Sequence, residues 1–365
     1  MTEQAILDAL RANLPFRGLA GLQVAAVESR GKGPLDVVIS LSCGNTVITI
    51  YGEIKSACTP KLVQEIAPWL ARMKAIQKDA AFALICPALS PQAQSVCAEN
   101  NVDFIDLAGN VSINVPGRFV LQRVGLKGKA PWRVPLRDPF SSKSSRVLRV
   151  LLENPRVWTL KEIAQELAAE TQRNQLGAWD FRISLGSASK TVRSLEEELL
   201  VRRRELKILV PEPRRGLLRW AEKYKERYRW YLRRSFKCPN PFGRELQAVT
   251  KGLRLLIGNG GFAFTGAAAA AATAPFVDLD AIEIFAEPGA AAKLRSLENE
   301  VGLAPELRIV SPYDIGVFMY AQMQGAVPVV SNLQAYLDLI ARGGRDSKQA
   351  QHLLRNVIEP RWCQA

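Results

Sequence analysis

The stretch SLGSASKTVRSLEEELLVRRR, residues 184–204, opens with small polar residues at Ser184, Gly186, Ser187 and Ser189. It turns basic at Lys190 and Arg193, carries apolar residues at helical spacing through Val192, Leu195 and Leu199, and closes on three arginines. A helix-turn-helix recognition helix followed by a wing has this composition. Small residues allow close approach to a DNA groove, and long cations meet phosphates and base edges. An ordinary amphipathic helix with a solvated charged face fits the window equally well, so the flanking sequence decides.

Upstream, VLRVLLE predicts a helix over Val147–Glu153 that ends at Asn154-Pro155. Thr159 then caps TLKEIAQELA, a second helix with Leu160, Ile163, Ala164 and Leu167 inward. Downstream, RRRELKILV (202–210) alternates as a short wing strand would, and Pro211 stops it. Three helices and a hairpin predict a winged helix-turn-helix over 140–215. In that geometry Ser187, Ser189, Lys190, Thr191 and Arg193 lie near the groove, and Arg202, Arg203 and Arg204 flank it on phosphates. The link from Ala168 to Ile183 is longer than such motifs need. Gln172–Asp180 reads as an insertion that could bring Arg173 and Arg182 to DNA or distort the motif.

Charge supports the DNA reading. Lys and Arg number 15 against 11 Asp and Glu over 1–142, 23 against 12 over 143–237, and 11 against 12 over 238–365. Most of the net +14 therefore sits around the quoted stretch, the footprint of a phosphate-binding module. The six cysteines form no CxxC pair, and His352 is the single histidine. Zinc sites and Ser-His or Cys-His hydrolases therefore lack material. No apolar run is long enough to cross a bilayer, and MTEQAILDALRANL lacks the pattern of a secretory signal, so a cytoplasmic protein is expected.

Residues 1–130 read as α-β-β-β-α-β, with a further helix at Pro91–Asn100 before a final strand at Val102–Leu107. The predicted strands are Gln23–Glu28, Asp36–Ser42, Thr46–Ile54 and Phe82–Cys86, with a helix from Thr59 to about Gln77. This is the core order of the restriction-endonuclease-like fold, and Asp36 with Glu53-Ile54-Lys55 resembles its PD-(D/E)xK signature. Glu53 and Lys55 share a strand face by the period of two. Asp36 and Glu53 could hold Mg²⁺, and Lys55 could activate water. A retained fold with no metal chemistry is the other reading.

Pro131–Pro139 reads as a linker and Ser141–Ser145 as a short polar extension of it. Residues 216–365 predict a C-terminal α/β domain. A long helix over Leu217–Phe236 aligns Trp220, Tyr224, Tyr228 and Tyr231, for packing or for stacking on bases. Helices over Glu245–Ile257 and Ala267–Ala272, strands over Phe262–Gly266, Ile282–Ala286 and Leu307–Val310, and helices over Ser331–Arg342 and Ser347–Ile358 follow. Gly266-Ala267 with Asp278 and Asp280 only weakly resembles a nucleotidyltransferase metal pattern, since its serine is missing.

FIDLAGNVSI (104–113), LLRWAEKYKERY (217–228) and SNLQAYLDLIARGGRDSKQAQHLL (331–354), with the TG-A-A of 265–268 and SPYD of 311–314, together resemble the AbiEi-type antitoxin and transcriptional-regulator family of type IV toxin–antitoxin systems. The resemblance covers nearly the whole chain. It implies an autoregulating DNA-binding protein that counters a nucleotidyltransferase-type toxin from an adjacent gene and has no nuclease activity. Double-stranded DNA, that toxin and a second copy of the chain are the expected partners, with no membrane. No cofactor is expected, and Mg²⁺ only if Asp36, Glu53 and Lys55 are active as a nuclease.

Overall fold

The computed structural model describes residues 1–29, 35–126, 138–233, 235–273 and 280–363. Most of the Pro131–Pro139 linker, and Asp278, lie outside them. The chain is mixed α/β, with sheets of seven, six and two strands. It divides into two compact units. Residues 1–135 with 196–199 make one, and 136–195 with 200–365 the other.

The first unit opens with α1 (Glu3–Arg11), capped by Thr2. Its sheet is laid down in sequence order as β1 (Leu22–Ser29), β2 (Val37–Cys43), β3 (Thr46–Ile54), β4 (Ala81–Cys86), β5 (Asp103–Asp106), β6 (Val111–Val115) and β7 (Phe119–Arg123). The strands β3, β4 and β5 run parallel, and the flanking pairs run antiparallel. The parallel crossovers are made by α2 (Pro60–Ile76) and α3 (Pro91–Glu99), capped by Thr59 and Ser90. Strand β4 is buried on both faces, as a run of AFALIC requires. Ala81, Ala83 and Ile85 join the core that holds Ile6 and Leu10 of α1. Phe82, Leu84 and Cys86 join the core that holds Val63 and Val96 of α2 and α3.

The strand expected to be last, β5, is followed by the β6–β7 hairpin. Val111–Val115 alternates between buried and more exposed positions, and Gly117 turns the chain at φ +72°. Gly52 on β3 is required by packing, because a Cβ there would lie 2.3 Å from a methyl of Ile85.

The second unit begins with α4 (Ser142–Glu153), α5 (Leu160–Arg173) and α6 (Leu185–Glu197, its last two residues counted with the first unit), followed by the two-stranded hairpin β8 (Arg202–Arg204) and β9 (Lys207–Leu209). Helix α4 starts five residues earlier than Val147, so Ser142–Ser145 is helix and not linker. The polar run is accommodated because Ser145 Oγ donates to the carbonyl of Ser142 (2.8 Å).

Helix α7 (Pro213–Leu232) buries Trp220, Tyr224 and Tyr228. It stops short of Phe236, which lies in β10 (Ser235–Asn240). The remainder is α8 (Leu246–Ile257), β11 (Phe262–Thr265), α9 (Gly266–Thr273), β12 (Ala281–Ala286), α10 (Pro288–Leu294), β13 (Leu303–Val310), β14 (Gln322–Gln324), β15 (Val327–Val329), α11 (Asn332–Arg342), α12 (Arg345–Leu353) and α13 (Glu359–Trp362). The six-stranded sheet has the order β10-β13-β12-β11-β15-β14. One apolar core runs from Val147 through Ile163, Val192 and Trp220 to Phe264 and Leu339.

Candidate nucleic-acid interface

Local sequence chemistry sets the helices of the cationic module. Thr159 Oγ1 accepts from the Glu162 amide (3.2 Å), and Glu162 Oε2 accepts from the Thr159 amide (2.7 Å), closing a capping box at the start of α5. Ser184 does similar work for α6, its Oγ accepting from the Ser187 amide (3.2 Å). The hairpin is tied down by Trp158 and Ile208, whose backbones exchange two hydrogen bonds of 2.7 Å. Ile163, Leu167, Ala188, Val192, Leu195 and Ile208 fill the interior.

With the apolar side of α6 buried, Lys190 and Arg193 are left exposed, and so are Arg202, Arg203, Arg204 and Lys207 on the hairpin. None of these six has a carboxylate partner among the described residues. Ser187 and Ser189 are half-buried. Thr191 is 1% exposed and its hydroxyl donates to the Ser187 carbonyl (2.9 Å), so it faces the helix packing. Arg182 is exposed and forked onto Asp180 at 2.8 and 3.0 Å. The Arg182 hydrogen bonds hold the Asp180 carboxyl down at about 2. A cavity of about 250 Å³ at the start of α6 gathers Lys143, Ser144, Arg182, Ser184 and Ser187. Two cations and hydroxyls beside a helix N-terminus suit a phosphate oxygen.

The insertion between α5 and α6 is a strap. Leu176, Trp179 and Phe181 are buried. Trp179 stacks on Phe318 at 3.9 Å and its indole N–H donates to Glu287 (3.2 Å). Asn174 Nδ2 donates to the Phe318 carbonyl (2.8 Å). Arg173 is drawn onto Glu166 (2.5 Å) and Glu170 (3.2 Å).

In the first unit, Asp36, Glu53 and Lys55 do come together. Asp36 sits one residue before β2, where its Oδ2 accepts from the Ile54 amide (2.7 Å). Glu53, on the less buried face of β3, forms an ion pair with Lys55, one residue past the end of that strand. Burial pulls the Lys55 pKa down, but the Glu53 hydrogen bond and charge, with the Asp36 charge, leave it raised on balance. Lys55 is thus held as a cation beside Glu53. Among the described residues no group of three His, Cys, Asp or Glu is placed to hold a metal ion. One Asp36 oxygen is taken by the Ile54 amide and one Glu53 oxygen by Lys55. Asp280, which is exposed, lies 3.7 Å from Arg345.

The sequence patches at 217–228, 265–268, 311–314 and 331–354 meet in one buried network. Asp338 accepts from Tyr224 Oη (2.5 Å), Thr265 Oγ1 (2.5 Å) and Gln334 Nε2 (2.8 Å). Burial pushes the Asp338 carboxyl up to about 6 against those bonds. Arg149 of α4 donates to Tyr313 (3.0 Å) and to Gln334, and lies over the Trp220 ring at 4.8 Å. Arg146 grips Asp314 through two bonds of 2.8 Å. Gly266 has φ +55°, and a Cβ there would approach Glu283 Oε2 to 2.8 Å, which explains the glycine after Thr265. The FIDLAGN patch is likewise structural: buried Asp106 accepts from the amides of Leu89 (3.0 Å) and Asn110 (2.9 Å).

No family model, curated protein or solved structure matches the chain.

Proposed function

We propose that this chain is a DNA-binding transcriptional regulator that docks on duplex DNA through α6 and the β8–β9 hairpin, used as a recognition helix and wing. The observation that carries the reading is the set of six exposed, carboxylate-free cations on those two elements. Helix, helix, helix and hairpin, with Trp158 as the short third strand, are the parts a winged helix uses. Lys190 and Arg193 would meet the groove, while Arg202, Arg203, Arg204 and Lys207 lie along the phosphates. The resemblance of the five sequence patches extends the proposal to an autoregulating antitoxin of AbiEi type, with an adjacent nucleotidyltransferase-type toxin as partner.

The first unit, with its α-β-β-β-α-β order, serves in this reading as a restriction-endonuclease-like scaffold without catalysis. A Mg²⁺-dependent nuclease using Asp36, Glu53 and Lys55 is the alternative, favoured by their proximity and disfavoured by their mutual pairing. Purified protein is expected to leave supercoiled plasmid intact in Mg²⁺ or Mn²⁺. Cleavage that disappears in Glu53→Ala would establish the nuclease instead.

Binding to duplex DNA from upstream of its own gene, read by fluorescence anisotropy, tests the main reading. The double substitution Lys190→Glu with Arg193→Glu is expected to weaken it by about tenfold to a hundredfold, about 1.4–2.8 kcal/mol. Wild-type affinity in that variant removes α6 from the interface. Co-purification with the neighbouring gene product tests the antitoxin half.

A further inference from the structure

We infer that the second unit holds a small-molecule site for a zwitterion, bound with its ammonium inward on Glu153 and its anionic end toward Arg361. The site is a cavity of about 690 Å³ at the ends of α4 and α5, within the size range of ligand pockets. Its charges are arranged by depth. Glu166 and Glu170 of α5 are 19% and 6% exposed, whereas the arginines around them are open to solvent: Arg156 at 50%, Arg173 at 54%, and Arg361, also exposed. Acid inside and guanidinium at the mouth is the polarity a zwitterion with an inward ammonium would match.

The inner acids differ in what they lack. Glu166 and Glu170 are satisfied. Arg173 pairs with both, Tyr320 donates its hydroxyl to Glu166 (3.1 Å), and the Tyr320 amide donates to Glu170 (2.8 Å). Tyr320 holds both contacts from a left-handed backbone, φ +56°, a strained conformation for an aromatic residue. Arg156 is taken up by Glu162 (3.2 Å) and by the face of Trp158 at 3.6 Å.

Among the described residues Glu153 has no such ion pair, and the Arg361 and Arg149 charges act on it only from further off. The Ser331 hydroxyl bonds its carboxylate, while its buried Oε1 has no hydrogen-bond partner among the described residues. A buried carboxylate oxygen without a donor is costly, and a ligand ammonium supplies the missing donor. Burial pushes the Glu153 carboxyl up to about 7, which a bound cation would reverse. Trp158 and Leu176 give the cavity apolar wall. A short peptide, with an ammonium and a carboxylate separated by a few bonds, has the chemistry and length for such a cavity.

Titration calorimetry of the full chain with trialanine tests this without DNA. Saturable binding is expected at a Kd of about 1 mM or tighter, weakened at least about tenfold by Glu153→Gln, by N-acetylation of the peptide, or by Arg361→Glu at the rim. Because Arg361 is exposed, that variant reports on the site even if Glu153→Gln misfolds. No heat from trialanine up to about 10 mM, or equal binding by the acetylated peptide or by both variants, overturns the inference.

Discussion

Arg146 and Arg149 on α4 and Arg202, Arg203 and Arg204 on β8 belong to the same cationic quarter of the chain, yet they have opposite fates. The first two are 2% and 1% exposed and are spent on Asp314, Tyr313 and Gln334. The other three are exposed along a hairpin whose inward residue is Ile208. Net charge counts both sets alike. Burial decides which cations hold the protein together and which remain open to solvent, and six of the open ones lie on α6 and the hairpin.

This contrast has its largest consequence for stability. Replacing Arg146 with alanine leaves the largely buried Asp314 carboxylate with the Gly316 amide but without its cation, at a cost of about 3–5 kcal/mol in denaturant unfolding. An effect as small as that of a surface arginine, about 0–1 kcal/mol, would place Arg146 with the β8 set.

Glu153→Gln sharpens the contrast from the acid side. Burial raises the Glu153 carboxyl from its ordinary 4.5 to about 7 in the fold. The folded state therefore favours the protonated form. Glu153 costs the wild type stability progressively as pH rises from about 4.5 to about 7, and the cost is fully present above that. The glutamine variant should match or trail wild type at pH 5 and gain about 1–3 kcal/mol on it at pH 8. A gain that is independent of pH would contradict the titration.

The local signals were legible before the structure. Thr159 marks the start of α5, Thr59 the start of α2, and the apolar run of 82–86 a buried strand. Placement of side chains was not legible, because it depends on partners far along the chain. Arg146 meets a carboxylate 168 residues away, and Arg149 meets Tyr313 and Gln334 at separations of 164 and 185. No window of VLRVLLE contains that information. Gln172–Asp180 reads as an insertion that could carry Arg173 and Arg182 to DNA or distort the motif, because the anchors of Trp179, Phe318 and Glu287, also lie far along the chain. Thr191 fitted the groove-facing pattern, but a threonine in a helix can bond its own preceding turn, and this one does. Asp36, Glu53 and Lys55 were correctly read as neighbours, whereas the Ile54 amide that occupies Asp36 is a tertiary detail.

Whether the exposed cations of α6 and the hairpin are the DNA contacts is read from the dependence of DNA affinity on salt, for the wild type and for the Arg202→Ala, Arg203→Ala, Arg204→Ala triple variant. If the four hairpin cations, with or without Lys190 and Arg193, neutralise phosphates, log K against log salt should fall with a slope of about −3.6 to −5.4 for wild type, and the triple variant should be shallower by about 2–3. A slope near zero, or one the triple substitution leaves unchanged, would contradict the account.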